Sequence, residues 1–188
     1  MGILGAVVTD YITPLETELK GERRGVTTLT RTAFRTMFSE TQVLHAYHEE
    51  ILGELRGLDW EASQTIGEVF VGRLALLLRG AYSSYLANYP AALAAYHHEA
   101  ETNDRFVAFL ETRHMVIPGT DRQQPGGLEM DLPSALITPV QRIPRYVLLL
   151  RELLKHTPDD HSDYANLELA HSQVGMERGT RFCWRFTT

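Results

Sequence analysis

Cysteine is almost absent from the sequence: Cys183 is the only one among 188 residues, so no disulfide can form within the chain. This composition fits a reducing compartment. Long apolar runs are also missing, and none approaches the roughly 18 residues that a membrane-spanning helix needs. The first residues, MGILGAVVTDY, lack the basic segment of a secretory leader, and Ala6 stands where a myristoylation signal requires serine or threonine. We therefore expect a cytoplasmic protein without an integral membrane segment.

An excess of basic residues is likewise missing. The 18 Lys and Arg are outnumbered by 24 Asp and Glu, which gives a net charge of -6 at pH 7. An acidic chain is a poor match for the phosphates of nucleic acid, so no nucleic-acid partner is expected. The composition is otherwise ordinary, with 44% hydrophobic and 22% charged residues. A chain of this length can form one domain with a sizeable core.

No segment is predicted to be a strand, whereas helical periodicity runs through most of the chain. We therefore predict an all-α bundle. Pro90 is expected to interrupt the helical pattern, and Asn103 or Asp104 to cap a helix. The helices are expected over residues 5–19, as a short and a longer helix within 27–58, over 61 to about 86, over 91–101, over 103–115, after Asp131, and over 164–174.

Proline and glycine concentrate in the segment IPGTDRQQPGGLEMD, residues 117–131, which is predicted to be a loop. Asp131 suits the N-cap of the next helix, with Pro133 in the first turn, where its missing N–H is harmless. After Val174 the periodicity fails, and two glycines four residues apart predict fraying over residues 175–188.

The most informative helix contains TPVQRIPRYVLLLRELLKHTP, residues 138–158. Pro144 within it removes one backbone N–H and presses on the carbonyl of Val140, which costs about 3 kcal/mol and predicts a kink. One explanation is that this helix simply bends around its core. Its apolar stripe, which advances in steps of four and three, comprises Leu136, Val140, Ile143, Val147, Leu150 and Leu154.

A different face of the same helix carries residue types that indicate a binding surface. Gln141 and Arg145 are four residues apart and share a face, with Arg142 alongside. Leu148 and Leu149 continue that side of the helix. Amide, guanidinium and aliphatic groups together on a rigid helix suit a protein partner better than bulk solvent.

Four segments, taken together, resemble the Dbl-homology domain, the exchange-factor module for Rho-family small GTPases. The segment LPSALITPVQRIPRYVLLLRELLKHTPDDHSDYANLELA resembles the third signature block of that domain. MFSETQVLHAYHEEILGELRGL resembles its F-x-N-x-x-x-I-x-x-x-H helix. IGEVFVGRL with AYSSYLANYPAALAAY resembles the second block, and VVTDYITPLETEL resembles the first block from its tyrosine onward. The resemblance covers about Val7 to Val174, in the family's order and spacing.

The resemblance implies an elongated bundle of about six helices, with the GTPase-binding face formed by the first and third blocks and the last helix. Such domains bind the switch regions of a Rho- or Rac-type GTPase, disturb its magnesium and phosphate site, and stabilise the nucleotide-free state. No bond is made or broken. The resemblance therefore implies an exchange factor and not an enzyme, with no cofactor, no metal and no catalytic residue. Any membrane proximity would be transient and would come through the GTPase.

Contact residues are implied by matching positions. The glutamine and the basic residue of the family's third block correspond to Gln141 and Arg145. The acidic residue of the first block, three before the tyrosine, falls on Val8, and an asparagine of the last helix falls on Phe182. The alternative is therefore a Dbl-homology scaffold that binds without exchanging. The implied GTPase-binding residues are Gln141, Arg142, Arg145, Leu148, Leu149 and Tyr11.

We expect residues 1–174 to form this domain, with its first block truncated at its start, and residues 175–188 to be a tail that replaces the end of the last helix. No pleckstrin-homology domain, which usually follows in the family, is expected within the 188 residues. A further alternative is an interaction module that binds through the tail aromatics Phe182, Trp184 and Phe186.

A metal enzyme is the alternative from a different class. Two Glu-x-x-His pairs occur, Glu111 with His114 and Glu168 with His171. In helical bundles such pairs, with two further carboxylates, can hold a di-iron centre. The competing explanation is that these are solvated polar positions, because eight histidines supply such spacings by chance. The extra carboxylates would come from Glu49, Glu54 and Glu68.

Overall fold

The structure, a computed structural model, describes residues 2–21, 27–58, 65–113, 115–117 and 128–176. The chain groups into two compact units. Unit 1 comprises Met1–His45 and Asn88–Thr138, and unit 2 comprises Ala46–Ala87 and Pro139–Thr188. No helix in the described ranges is both long and apolar enough to cross a membrane.

Unit 1 begins with an unbroken helical run, which agrees with the helix predicted over residues 5–19. The run consists of α1 (Ile3–Val7), a π-helical segment π1 (Val8–Ile12) and α2 (Thr13–Lys20). The helices α4 (Thr41–Gly57) and α6 (Ser83–Thr102) each contribute one end to this unit. The other helices of unit 1 are α3 (Arg31–Phe38), α7 (Asp104–Glu111) and α8 (Leu132–Leu136).

Side-chain caps fix where two of these helices begin. The Asn103 side chain accepts a hydrogen bond from the backbone N–H of Phe106 at 3.2 Å. Asp131 accepts one from the N–H of Ser134 at 2.9 Å, and Pro133 lies in the first turn of the helix that follows. Both caps satisfy N–H groups that the helix itself cannot pair. The predicted roles of Asn103 and Asp131 are thus confirmed.

The core of unit 1 is built on the first helical run, whose buried residues recur at intervals of three and four. Tertiary hydrogen bonds add to this packing: the Arg31 guanidinium donates to the carbonyl of Leu19 at 2.7 Å, and the Asn103 amide donates to the carbonyl of Thr28 at 2.9 Å. The main buried residues are Leu4, Val7, Tyr11, Ile12, Leu15, Leu19, Leu29, Met37, Phe38, Leu44, Tyr89, Phe106, Leu132 and Leu136.

A short antiparallel ribbon corrects the prediction that the chain contains no strand. It pairs β1 (Met115–Ile117) with β2 (Leu128–Met130), and Met115 lies opposite Met130. Three residue pairs are too few to produce an alternating pattern that sequence reading could detect. Apart from this ribbon, the regular structure in the described ranges is helical, so the fold is all-α as predicted. Within the predicted loop, residues 118–127 lie outside the described residues.

Pro90 does not interrupt the helix as expected: α6 runs through it. Proline removes one hydrogen bond of the helical ladder and crowds the preceding turn, which favours a break. Packing opposes this tendency, because Tyr89 and Ala92 on the same helix are both 5% exposed, whereas Pro90 is exposed. The buried neighbours hold the helix together across the proline.

Unit 2 contains the rest of α4 and α6 together with four further segments. In this unit α5 (Ile66–Leu77) and α10 (Tyr164–Met176) pack closely, because a Cβ on Gly67 would lie 2.6 Å from the backbone nitrogen of Leu167. The buried carboxylate of Asp163 accepts the N–H of Gly67 at 2.7 Å. The segments are α5 (Ile66–Leu77), a π-helical segment π2 (Leu78–Tyr82), α9 (Thr138–Lys155) and α10 (Tyr164–Met176).

The single long helix predicted after Asp131 is divided at Ile137 into α8 and α9. Pro139 has no N–H to donate to the carbonyl of Ala135, and the Thr138 hydroxyl donates to that carbonyl instead, at 2.8 Å. The predicted apolar stripe is nevertheless buried: Leu136, Val140, Ile143, Val147 and Leu150 are at most 7% exposed, and Leu154 is half-buried. The inward side of α10 is also as predicted, with Leu167, Ala170 and Val174 buried.

Candidate functional site

The face of α9 opposite its buried stripe carries the candidate binding residues. Gln141 and Arg145 are exposed, and they lie one helical turn apart. Leu148 and Leu149 follow on the next turn and are 48% and 61% exposed. Because the two leucines are adjacent, they form a small apolar patch next to the polar side chains of the same face. The structure thus places four of the six predicted site residues together, in one strip on one helix.

Arg142 differs from its neighbours on α9. It is half-buried and lies one helical turn before Tyr146, and its positive charge lowers the pKa of that phenol against the larger, opposite effect of burial. Arg142 is therefore partly enclosed by the protein, whereas Arg145 is exposed to solvent.

Behind Arg142, unit 2 contains a buried polar cluster. The ring of His48 on α4 is hydrogen-bonded through Nδ1 to the Tyr146 hydroxyl at 3.1 Å and through Nε2 to the Tyr82 hydroxyl at 2.8 Å. The Phe70 ring packs edge-on against Tyr146, with their centroids 6.1 Å apart. Sequence reasoning did not find this cluster, although His48 occupies the histidine position of the family's F-x-N-x-x-x-I-x-x-x-H pattern.

The two phenols of this cluster are neutral at pH 7, and burial keeps them neutral to a higher pH than an exposed tyrosine. Burial raises the pKa of Tyr146 and, more strongly, that of Tyr82, because the charged phenolate loses its hydration in the interior. The Arg142 guanidinium opposes the rise in pKa at both tyrosines, and the effect of burial is the larger one. Both hydroxyls thus remain protonated at neutral pH and can donate as well as accept a hydrogen bond.

Tyr11, the remaining predicted site residue, belongs to the core of unit 1. It is 2% exposed, and its hydroxyl donates to the backbone carbonyl of Arg113 at 3.4 Å. The Phe109 ring contacts it edge-on at a centroid distance of 6.2 Å. Burial, with a smaller effect of Asp10, raises the pKa of this phenol. A side chain so enclosed offers a partner almost no surface, so we assign Tyr11 a packing role.

The surface beside Tyr11 is formed by its neighbours in π1. Val8 and Asp10 are half-buried and Thr9 is exposed. The position at which the resemblance implies an acid is therefore partly open to solvent but carries an aliphatic side chain. Phe182, where the family has an asparagine, lies outside the described residues, as do Trp184 and Phe186.

The described residues give no support to the di-metal alternative. Glu111 and Glu168 are exposed, and His114 lies outside the described residues. In the part of the chain that the structure describes, no three His, Cys, Asp or Glu side chains are placed to hold a metal ion together.

Sequence comparison adds independent information. The family model described as RhoGEF domain matches residues 2–176. The guanine exchange factor for Rac 30 of Dictyostelium discoideum is 34% identical over 170 residues, which cover 89% of this chain and 9% of that protein. Rho guanine nucleotide exchange factor 17 of Homo sapiens is 34% identical over 141 residues, which cover 73% of this chain and 6% of that protein. The chain thus spans only a small part of the length of these relatives.

Solved structures with the same fold point in the same direction. The crystal structure of the DH domain of FARP2 matches with a TM-score of 0.72 at 19% identity, over 94% of this chain and 79% of that one. The DH/PH domains of PDZ-RhoGEF, in complex with activated RhoA, match with a TM-score of 0.69 at 18% identity, over 93% and 46% of the two chains. At such identities the likeness is one of fold. Together with the match over residues 2–176, it places the chain in the RhoGEF, or Dbl-homology, domain family.

Proposed function

We propose that this chain is a guanine nucleotide exchange module that binds the switch regions of a Rho-family GTPase and promotes release of GDP. The observation that carries the proposal is the exposed strip of Gln141, Arg145, Leu148 and Leu149 on α9 of a RhoGEF domain. The matched relatives are named as exchange factors for Rac and Rho, and the PDZ-RhoGEF structure contains bound RhoA. These names support a GTPase of the Rho family as the partner.

The side chains of the strip can form the hydrogen bonds and apolar contacts that binding to a switch segment requires. The planar guanidinium of Arg145 can form two parallel hydrogen bonds to a carboxylate, or bonds to backbone carbonyls, of a switch segment. The Gln141 amide can donate and accept at the same time, which suits a backbone peptide group. Leu148 and Leu149 supply apolar area that becomes buried on binding.

The mechanism is differential binding and involves no bond making. A GTPase without nucleotide and a GTPase with bound GDP differ in the conformation of their switch segments. If the strip on α9 binds the nucleotide-free conformation more tightly, binding shifts the population towards that state and GDP leaves. The module needs no acid, base or cofactor of its own for this step. The free energy by which binding shifts this equilibrium equals the difference between the binding free energies of the two GTPase conformations.

The alternative function is a scaffold that binds a GTPase without accelerating release. Val8 is the observation that favours it, because an aliphatic side chain cannot accept the hydrogen bonds expected of an acid at this position. Losing one partner of a charged, buried contact at an interface typically costs about 2–5 kcal/mol. Gln141 and Arg145 would then suffice for binding but not for exchange.

The test is release of a fluorescent guanine nucleotide from a panel of Rho, Rac and related GTPases. We expect acceleration by the parent chain and loss of roughly 30-fold or more of it in Arg145→Ala, as for a truncated charged contact. Arg105→Ala is the control, because Arg105 is also an exposed arginine but lies on α7 and not on α9. It should retain the parent rate. Since Arg145 is exposed, circular dichroism and thermal unfolding should be unchanged in both variants.

The other outcomes discriminate between the candidates. A folded parent that accelerates nothing but retains a nucleotide-free GTPase in a pull-down is the scaffold. A folded parent that neither accelerates release nor binds any GTPase of the panel rules out both functions. Equal rates for Arg145→Ala and the parent would remove the strip as the binding surface.

A further inference from the structure

The buried cluster of His48, Tyr82 and Tyr146 connects three helical segments of unit 2 through side chains alone. His48 belongs to α4, Tyr82 ends π2, and Tyr146 belongs to α9. The ring nitrogens of His48 lie 2.8 Å from the Tyr82 hydroxyl and 3.1 Å from the Tyr146 hydroxyl. His48 is 9% exposed and Tyr82 is fully buried. Buried polar groups are costly to leave unpaired, so these two bonds hold the ring between the other two segments.

Ring contacts surround the hydrogen bonds of this cluster. The His48 ring meets Tyr82 edge-on at a centroid distance of 5.7 Å and lies 6.1 Å from the Tyr146 ring. Phe70, on α5, contacts Tyr146 edge-on at 6.1 Å. Tyr146 is therefore contacted from α4 and from α5. The contact with α4 includes a hydrogen bond, so a change of one polar group can remove that bond while the rings stay in place.

The part of α9 that carries the strip has an incomplete ladder of backbone hydrogen bonds. Pro144 lies inside the helix and has no N–H to donate to the carbonyl of Val140. Gln141 precedes Pro144 and Arg145 follows it, so the turn that joins these two polar residues of the strip lacks one backbone bond. A helix that lacks such a bond bends more easily. The direction of the strip therefore depends more strongly on contacts between α9 and its neighbours.

The hydrogen bond to His48 acts on α9 directly beside the strip, because Tyr146 follows Arg145 in the sequence. Successive side chains of an α-helix project about 100° apart around its axis, so fixing Tyr146 also fixes the direction of Arg145 and Leu149. The apolar stripe of α9 is buried as well, but apolar packing is not directional. A hydrogen bond requires a defined distance and angle. It therefore specifies the rotation of α9 relative to α4 more narrowly than packing does.

We propose that His48 is a positioning residue, whose bond to Tyr146 sets the direction in which α9 presents the strip to a GTPase. The inference rests on the proposed function and adds a residue that does not itself touch the partner. It also explains how a helix that contains Pro144 presents a fixed surface. The side-chain bond from α4 replaces part of the constraint that the missing backbone bond would supply.

The first test compares two side chains of similar shape at position 48. Asparagine carries polar atoms on Cγ, where histidine carries Nδ1, so His48→Asn can keep a bond to the Tyr146 hydroxyl. Leucine has the same branched outline without a polar atom. His48→Leu should lower kcat/KM for nucleotide release by roughly 3- to 10-fold, as for one lost hydrogen bond, whereas His48→Asn should stay within about 2-fold of the parent.

A residue that only packs would give the opposite order in this comparison, because a buried site tolerates leucine better than asparagine. That order, or equal losses in the two variants, would overturn the proposal. Circular dichroism of each variant shows that the proteins compared are folded.

The second test removes the other partner of the bond. Tyr146→Phe keeps the ring and should also lower kcat/KM by roughly 3- to 10-fold. In a His48→Leu background it should cause no further loss, because the bond is already absent. Losses that multiply would overturn the proposal, since the two residues would then act independently.

The matched control for Tyr146→Phe is Tyr82→Phe, which removes the other phenol hydroxyl bonded to the same ring and leaves the bond to α9 in place. It should keep kcat/KM within about 2-fold of the parent, even where it lowers stability by as much as Tyr146→Phe does. Equal losses of kcat/KM in the two variants would assign the cluster a purely structural role and overturn the proposal.

A third measurement needs no GTPase. Backbone amides of α9 near Tyr146, followed by hydrogen–deuterium exchange and mass spectrometry, should exchange faster in Tyr146→Phe than in the parent, because α9 opens more easily without the bond to His48. Equal hydrogen exchange in both would overturn the positioning step. The expected difference in hydrogen exchange, in a parent that releases no nucleotide from any GTPase, would instead assign the failure to the proposed function. The proposal that His48 positions α9 for a GTPase would be rejected with it.

Discussion

Two arginines three residues apart on α9 illustrate how burial divides function between identical side chains. Arg142 is half-buried, and its charge acts on the pKa of the Tyr146 phenol, whereas Arg145 is exposed. Removing Arg145 leaves no interior group without a partner. Removing the half-buried Arg142 also removes the packing of its aliphatic stem, so Arg142→Ala should lower stability as well as binding. For this reason Arg145 is the better residue for separating binding from folding.

Val8 allows a gain-of-function prediction at the scale of one residue. If its position faces the GTPase as the family resemblance implies, Val8→Glu restores a hydrogen-bond acceptor there. We expect nucleotide release to accelerate by roughly 10-fold or more, in line with a charged contact at an interface. The half-buried site leaves a glutamate carboxylate able to reach solvent in the free protein, so the fold should tolerate the change.

The control for Val8→Glu is Thr9→Glu, which adds the same charge at the exposed neighbouring position of π1. Only Val8→Glu should accelerate release in the fluorescent-nucleotide assay. Equal acceleration by both would indicate long-range electrostatic steering and no specific contact. No acceleration by Val8→Glu would show that the matching of the first block to this sequence is wrong.

The part of the candidate site that follows from residue spacing along one helix could be predicted from the sequence. Gln141, Arg145, Leu148 and Leu149 share a face because of helical geometry, and the structure exposes all four. The link between His48 and Tyr146 joins residues 98 apart in the chain. No pattern among residues that are neighbours in the sequence indicates such a contact. The burial of Tyr11 was missed for a related reason: periodicity identifies a helical face but does not by itself say whether a tyrosine on it reaches the surface.

At the scale of the elements, helices were predictable because their signals are local. Apolar spacing and the caps at Asn103 and Asp131 act within a few residues. Three predictions about the elements were wrong. The features concerned depend on packing between distant parts of the chain, or on weak local preferences for and against helix that oppose one another. They are the β1–β2 ribbon, the continuity of α6 through Pro90, and the division between α8 and α9 at Ile137.

The contact between α5 and α10 leads to a prediction about how two elements approach. A methyl group at Gly67 would lie 2.6 Å from the Leu167 nitrogen and 2.8 Å from the Asn166 backbone carbon. The backbone atoms of α10 cannot move aside as a flexible side chain can, so α5 and α10 would have to separate. That movement would also lengthen the hydrogen bond from the Gly67 N–H to Asp163. We expect Gly67→Ala to lower the free energy of unfolding by about 1–3 kcal/mol, the typical cost of overpacking.

The matched control is Gly72→Ala on the same helix, where a Cβ has no atom within 4 Å. Alanine is the better helix former, so this change should raise the free energy of unfolding by up to about 1 kcal/mol. Urea titrations followed by circular dichroism measure both. A neutral or stabilising Gly67→Ala would mean that α5 and α10 are not packed as closely as described.

For the whole molecule, buried tyrosines set the response to alkali. Burial is the largest cause of a raised pKa at five phenols in the described residues, in both units. A phenol with a raised pKa keeps its proton in the folded protein at a pH where the unfolded chain has lost it. The folded state then binds more protons than the unfolded state, so the free energy of unfolding falls as pH rises. The five are Tyr11, Tyr82, Tyr89, Tyr96 and Tyr146.

We therefore predict an upper pH limit set by tyrosine ionisation. The melting temperature should be nearly constant up to about pH 9 and should fall above about pH 10, where phenols of the unfolded chain ionise. In an alkaline titration, phenolate absorbance from the buried tyrosines should develop together with loss of the helical circular dichroism signal. Ionisation of all eight tyrosines of the chain with the helical signal intact would contradict the prediction, because phenols that ionise freely are not enclosed. A melting temperature that stays constant through that range would contradict it equally.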